Sequence, residues 1–246
     1  MMWIDAHCHV GPGLTARQSP EELLRDMDRL GIDQALISPW DAAIAVENRA
    51  GNDYVLTQAN RYPDRLSAYA TVNPWYGRGA VDELRRATDK GARALKLATH
   101  LQGCQITDDI VFPIVAEAVA LGLPIYVTTG IPVSAMPMQL SYLARTFPQG
   151  VFIEGRYGFP DFWTDALPSV QDTPNIYVDA SYNPPSTILN AVRALGADRV
   201  LFSSDSPYLC LQNEVEKMKS LPVAVQTLSQ IVGANIARLL QGRMHA

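Results

Sequence analysis

Cysteine is scarce in this chain. Three occur in 246 residues, Cys8, Cys104 and Cys210, an odd and scattered set with no CxxC spacing. That argues against a disulfide framework or a cysteine metal cluster and predicts a reduced, cytoplasmic setting. Long apolar runs are missing too, and none nears the roughly 20 residues that span a bilayer. The N-terminus has no basic segment followed by an apolar one, so no secretory signal is expected. Lysine and arginine form no run, and the formal charge is a mild −5. Nucleic acid and polybasic membrane anchoring are therefore not expected. Neither GxGxxG nor GxxxxGK[ST] occurs, so the usual nucleotide phosphate turns are absent. Histidine is also rare: there are four, and two of them stand one residue apart, in "WIDAHCHVG".

What is present is a repeating series of apolar strand, polar turn and amphipathic helix. The apolar runs predict strands over 2–8, 34–40, 66–72, 92–98, 123–129, 150–156, 175–181 and 199–205. Most are near-continuous Val, Ile, Leu and Tyr, the composition of strands buried on both faces. A helix is expected over 20–30, with Leu23, Leu24, Met27 and Leu30 on one face, Ser19 as N-cap and Gly31 as its stop. Further helices over 79–90, 110–121 and 185–195 each end at a glycine before the next strand. Eight such units predict an α/β fold, one (β/α)8 TIM barrel over 1–246. A doubly wound open sheet is the alternative, and it would be expected to carry a phosphate turn.

Chemistry in such a barrel sits at the C-terminal ends of the strands. That rule selects His7, His9, Asp41, Asn73, Lys96, His100, Thr128, Glu154, Arg156, Asp179 and Asp205. Side chains two apart on a strand share a face, so His7 and His9 can reach one ion, with Asp5 on the same face. Asp205 ends the eighth strand, which neighbours the first when the barrel closes. Two imidazoles and a carboxylate suit Zn²⁺, Mn²⁺ or Fe²⁺ with positions left open. Asp205 could instead be a base on water, or cap a helix ahead of Ser206-Pro207. Trp40, Trp75 and Tyr76 lie beyond the second and third strands, where they would line a pocket or pack the loops together.

At these residues the chain resembles the amidohydrolase superfamily, and within it the amidohydrolase-2 group. That group holds hydrolases and metal-dependent non-oxidative decarboxylases such as aminocarboxymuconate-semialdehyde decarboxylase. "IDAHCHVG" is similar to the family's H-x-H strand. "ALKLATHLQG", "LPIYVTTG" and "VFIEGRYGFPDFW" resemble its fourth, fifth and sixth strand segments. "RVLFSSDSP" resembles the eighth, and "IVGANIARLL" the closing helix. The departures are specific. Thr128 stands where the resemblance expects a histidine on strand five, Arg156 where it expects one on strand six, and Ala98 where strand four often has one.

The resemblance implies an enzyme acting on a small carboxylate-bearing substrate at a reduced mononuclear metal site. The reaction would be hydrolysis of a C–N, ester or lactone bond, or loss of CO2. His7, His9 and Asp205 would be ligands, with Glu154 either replacing a lost one or pairing with Arg156. Arg156 and Lys96 would hold the carboxylate. Thr128 and Trp40 or Trp75 would line the pocket, and His100 would swing in or stay an exposed loop residue. Zinc is the expected ion, manganese and iron being alternatives. A second reading has no metal and uses Asp205 as base, and a third is an inactive barrel that binds a ligand or partner. Relatives are often dimers, so a homodimer is expected.

Overall fold

The computed structural model describes residues 1–15 and 17–241. Eight parallel strands form the barrel: β1 (Ile4–His9), β2 (Gln34–Ser38), β3 (Leu66–Thr71), β4 (Ala94–Leu97), β5 (Ile125–Thr128), β6 (Phe152–Gly155), β7 (Ile176–Asp179) and β8 (Val200–Leu201). Each pairs with the next in chain order. The ring closes through Ala6 N to Phe202 O at 3.0 Å, Asp205 N to His7 O at 3.0 Å and His9 N to Ser206 O at 2.7 Å. The helices that follow the strands are α1 (Pro20–Leu30), α2 (Asn48–Arg61), α3 (Arg78–Asp89), α4 (Phe112–Ala120), α5 (Pro137–Thr146), α6 (Trp163–Gln171), α7 (Pro185–Leu195) and α8 (Leu211–Lys219). This is a TIM barrel, as expected.

Local sequence explains the borders. Ser19 caps α1 by accepting from Glu22 N at 3.2 Å, while Glu22 Oε2 accepts from Ser19 N at 2.7 Å, a capping box. Pro20 occupies the first turn, where a missing N–H costs nothing, and Gly31 ends the helix at φ 76°. The last strand is much shorter than the expected 199–205. Beyond Leu201 the chain leaves its pairing with β7, and Phe202 N donates to Ile231 O at 2.9 Å.

Two apolar layers hold the fold. Outward side chains such as Ile37, Leu95, Val127, Phe152 and Val178 pack under the helices. Inward ones, Ile4, Ala6, Leu36, Tyr69, Ala94, Tyr126, Ile153 and Leu201, fill the barrel and meet Ile236, Leu239 and Leu240 of the closing helix (Asn235–Gln241). Each such large side chain, fully buried, is worth about 1.5–3 kcal/mol.

The first strand departs from simple alternation. Its register against β2 slips between Asp5 and Cys8, a β-bulge. Ile4 and Ala6 point into the barrel, whereas Cys8 and Val10 join the outer layer. The extra residue resets the phase, so His7 and His9 both face the mouth. Ala6 O, beside the bulge, accepts from Tyr69 Oη at 2.7 Å. Strict alternation would have placed Asp5 with the histidines. Its carboxyl instead accepts from Ser204 N at 2.9 Å, Ser204 Oγ at 2.5 Å and His7 N at 3.2 Å, tying β1 to the end of β8.

Candidate functional site

The mouth of the barrel is polar and buried. His9 Nδ1 lies 2.8 Å from Pro39 O, which can only accept, so this nitrogen carries the proton and Nε2 the lone pair. His7 stacks on the Tyr126 ring, with centroids 4.1 Å apart and planes 20° from parallel. Tyr126 is fixed from behind by Asp179, whose Oδ2 accepts its hydroxyl at 2.5 Å. The ring fits because Gly155 faces it on β6, and a Cβ there would collide with it.

Lys96 projects inward from β4, beside Tyr126 in register. Its Nζ contacts His7 Nε2 and lies 3.3 Å from His9 Nε2. Lys96 also sits 4.8 Å from the Tyr126 ring centroid, a cation–π distance. An ammonium donates to both imidazoles, which leaves the His7 proton on Nδ1, towards Asp205. Asp205 Oδ1 is 3.1 Å from His7 Nδ1 and 3.4 Å from His9 Nε2. Neither approach is aligned as a hydrogen bond, so this buried oxygen has no aligned partner among the described residues. Its other oxygen faces Arg156 Nη2 at 3.2 Å.

The charges follow from this packing. Burial alone would raise the Asp205 carboxyl, but His7 and His9 outweigh it and hold it well below the usual carboxylate range. Burial, and then the charge of Lys96, lower His7 and His9 below the ordinary imidazole value. Burial pulls Lys96 down to about 7. His100 lines the same cavity and is pulled down to about 4, by burial first and then by the Arg156 and Lys96 charges.

The cavity measures about 90 Å³, and His9, Lys96, His100, Thr128 and Arg156 all line it. Asp41 and Tyr208 complete its rim, where the Tyr208 hydroxyl donates to Asp41, which also accepts from Thr15 Oγ1 at 2.7 Å. His100 is thus drawn into the site rather than left as an exposed loop residue. Tyr126, Tyr182 and Tyr208 went unrecognised in the sequence. Only Tyr208, three residues after Asp205, carries a positional hint.

Three expectations are corrected. Glu154 neither pairs with Arg156 nor joins the histidines. It points outward beneath α6, with its Oε2 3.2 Å from Ser169 Oγ. Arg156 reaches the mouth because its backbone turns left-handed, at φ 64°, which breaks the strand's alternation. Trp40 packs edge-on against Tyr54 at 5.6 Å and seats over Gly11, where a Cβ would strike its ring. Trp75 is 62% exposed and pins its loop by donating Nε1–H to Gly103 O at 3.1 Å. Neither tryptophan lines the cavity. Asn73 is likewise structural, capping the turn at Trp75 N and donating to Ala45 O.

His7, His9 and Asp205 offer donor atoms that all lie within 4.8 Å of one another, and among the described residues they are the one such group that could hold a metal ion. Over residues 4–242 the sequence matches the amidohydrolase family. The chain belongs to that family. A search of curated proteins finds none that matches in sequence. Among solved structures, an uncharacterised TIM-barrel protein from Bordetella bronchiseptica superposes with a TM-score of 0.83 at 18% identity, over 99% of each chain. The 2,6-dihydroxybenzoate decarboxylase from Rhizobium gives 0.78 at 18% identity, over 98% of this chain and 99% of its own. A dihydroxybenzoic acid decarboxylase from Polaromonas sp. JS666, with bound manganese and the inhibitor 2-nitroresorcinol, gives 0.77 at 16% identity, over 100% and 99%. These likenesses concern the amidohydrolase barrel. No helix among the described residues is long and apolar enough to cross a membrane.

The donor chemistry of the amidohydrolase trio fits a divalent cation. Two imidazoles and one unaligned, buried carboxylate oxygen lie within reach of one another, and the Pro39 carbonyl fixes the His9 tautomer. Thr128 adds no comparable ligand, and Arg156 brings a positive charge instead.

Proposed function

We propose that this amidohydrolase removes CO2, without oxidation, from a small carboxylate-bearing substrate, with His7, His9 and Asp205 holding one divalent ion. The observation that carries this reading is the pair of cations, Lys96 and Arg156, lining one small cavity with His9, which belongs to the His7, His9 and Asp205 group. Two imidazoles and a carboxylate suit zinc, manganese or iron, and manganese is the ion in the Polaromonas decarboxylase. When bound, the ion supplies Lewis acidity to a substrate oxygen.

The chain's own residues do the rest. Arg156 is placed over the Tyr182 ring, 4.6 Å from its centroid, and offers a planar fork to the carboxylate, with Lys96 beside it. As CO2 leaves, the electron pair of the broken C–C bond stays on the substrate carbon, which then takes up a proton. Lys96 is the ammonium at the cavity that can deliver one. Homodimerisation and a cytoplasmic setting complete the reading. They are supported by exposed Met138, Tyr142 and Trp163 on α5 and α6 and by free cysteines.

A second reading rests on the contact of Lys96 with both histidines. There the chain supplies its own cation, and Asp205 acts as base on water to hydrolyse an ester or lactone. Measured CO2 release from a panel of short and aromatic acids with added Mn²⁺ separates the two. The proposal expects turnover, and a KM about 10–100-fold higher in Arg156→Met, the worth of a lost charge-assisted hydrogen bond. Ester or lactone turnover that survives a chelator would favour the second reading. No acid turned over, and none bound in calorimetry, would refute the first.

A further inference from the structure

The two Nε2 lone pairs that suit a metal ion point at an atom of the chain itself. Lys96 Nζ contacts His7 Nε2 and lies 3.3 Å from His9 Nε2, both across the barrel from β4. We infer that Lys96 sets the metal affinity of this site: its amine occupies the point where the two lone pairs meet, and a divalent ion enters only as that amine withdraws. This rests on the proposed reading that His7, His9 and Asp205 hold the ion.

Three features of the fold make the arrangement specific. Lys96 is fixed at its root by pairing with Thr71 on one side and Tyr126 on the other, so its stem must run up the inside of the barrel. Thr128 is the inward residue at the end of the neighbouring strand, and it is short. A histidine there, as the resemblance leads one to expect, would fill space that Thr128 leaves to the lysine stem. Arg156 meanwhile faces Asp205 Oδ2, so a second fixed positive charge already engages the carboxylate. One cation position is thus contested by an ion and an ammonium, which cannot share it. The cavity of about 90 Å³ beside Lys96 gives the flexible stem somewhere to go when it yields.

The test is Mn²⁺ binding at fixed pH, read by loss of the sharp electron paramagnetic resonance signal of the free ion, with no substrate present. Wild type, Lys96→Met, Lys96→Gln and the double variant Lys96→Met/His7→Ala are compared, with circular dichroism as the check on folding. Lys96→Met keeps the stem's bulk and removes the charge, and Lys96→Gln serves if the methionine variant does not fold. The expected result is binding at least tenfold tighter in the single variants, within the roughly 10–100-fold range that residues around a metal site command, and lost again in the double variant. Equal affinity in wild type and the single variants would overturn the inference while leaving the metal site standing. No binding in any form would remove both. Tight binding that persists in the double variant would place the ion elsewhere and also overturn it.

Discussion

Glu154 is the buried carboxyl that the candidate site does not use, and it makes the sharpest prediction about stability. It is fully buried on the outer face of β6, and its Oε1 has no hydrogen-bond partner among the described residues. Its Oε2 lies 3.2 Å from Ser169 Oγ, but that hydroxyl is also 2.7 Å from Ala166 O. One hydroxyl proton serves one acceptor, and the shorter contact claims it. The pair is satisfied when Glu154 is protonated and itself donates to Ser169. Burial, opposed by the Ser169 contact and by the charge of Arg199, raises the carboxyl from 4.5 to about 8. At 1.36 kcal/mol per pH unit, that gap corresponds to about 5 kcal/mol.

The sign follows from proton counting. Below pH 4.5 the group is protonated in both states and costs nothing. Between 4.5 and about 8 the unfolded chain releases the proton and the folded one keeps it, so stability falls as pH rises. Above about 8 the loss is complete. Glu154→Gln keeps the shape and cannot ionise. Urea unfolding of wild type and variant at pH 5.5 and 8.5 isolates this residue, because other titrating groups cancel in the difference. The variant should gain about 3 kcal/mol on the wild type between those pH values. A difference that stays within about 1 kcal/mol at both would show that Glu154 titrates alike folded and unfolded, and the argument from the Ser169 proton would fail.

Two further predictions concern the support of His7. Tyr126→Phe leaves Asp179 with its Ser181 and Ser203 donors but without the tyrosine hydroxyl, and should cost about 1–3 kcal/mol in urea unfolding; a change below about 0.5 kcal/mol would show that the Tyr126 bond is not needed. Gly155→Ala puts a methyl group into the Tyr126 ring and should cost about 1–3 kcal/mol while shifting the His7 ring resonances in NMR; unchanged His7 resonances would mean that the ring yields without disturbing the site.

The barrel was legible because its cause is compositional. Strands such as "LPIYVTT" are apolar on both faces, and glycines punctuate the helix ends, so strand number and order could be read directly. Beyond His7, His9 and Asp205, the site was legible where phase could be counted from a regular strand. Lys96 and Thr128 face inward on β4 and β5 as alternation requires, whereas Asp5 and Glu154 were assigned to the wrong neighbours. The bulge between Asp5 and Cys8 carries no glycine or proline to announce it. Nor does any residue type announce the left-handed backbone of Arg156, since arginine has no special tolerance for positive φ. Trp40 and Trp75 show the other limit: position near a strand end does not tell whether an aromatic ring faces the ligand or the next loop.

Three of the five non-glycine residues with positive φ among the described residues share one location. Arg156, Tyr182 and Asp205 all adopt positive φ, at 64°, 64° and 48°, and all three meet at the barrel mouth. Each such residue costs about 1–3 kcal/mol and persists only where its surroundings over-determine it. Those surroundings are present. Asp205 N donates to His7 O at 3.0 Å, Arg156 N to Asp179 Oδ2 at 3.3 Å, and Asn183 Nδ2 to Arg156 O at 2.8 Å. The strain turns the Arg156 guanidinium onto Asp205 and over Tyr182, in the region where the resemblance leads one to expect a histidine. With Lys96 against His7 and His9, the Arg156 guanidinium and the Lys96 amine flank one carboxylate and two imidazoles. An anion entering the cavity meets a field built by the chain alone, and an entering metal ion must displace part of it.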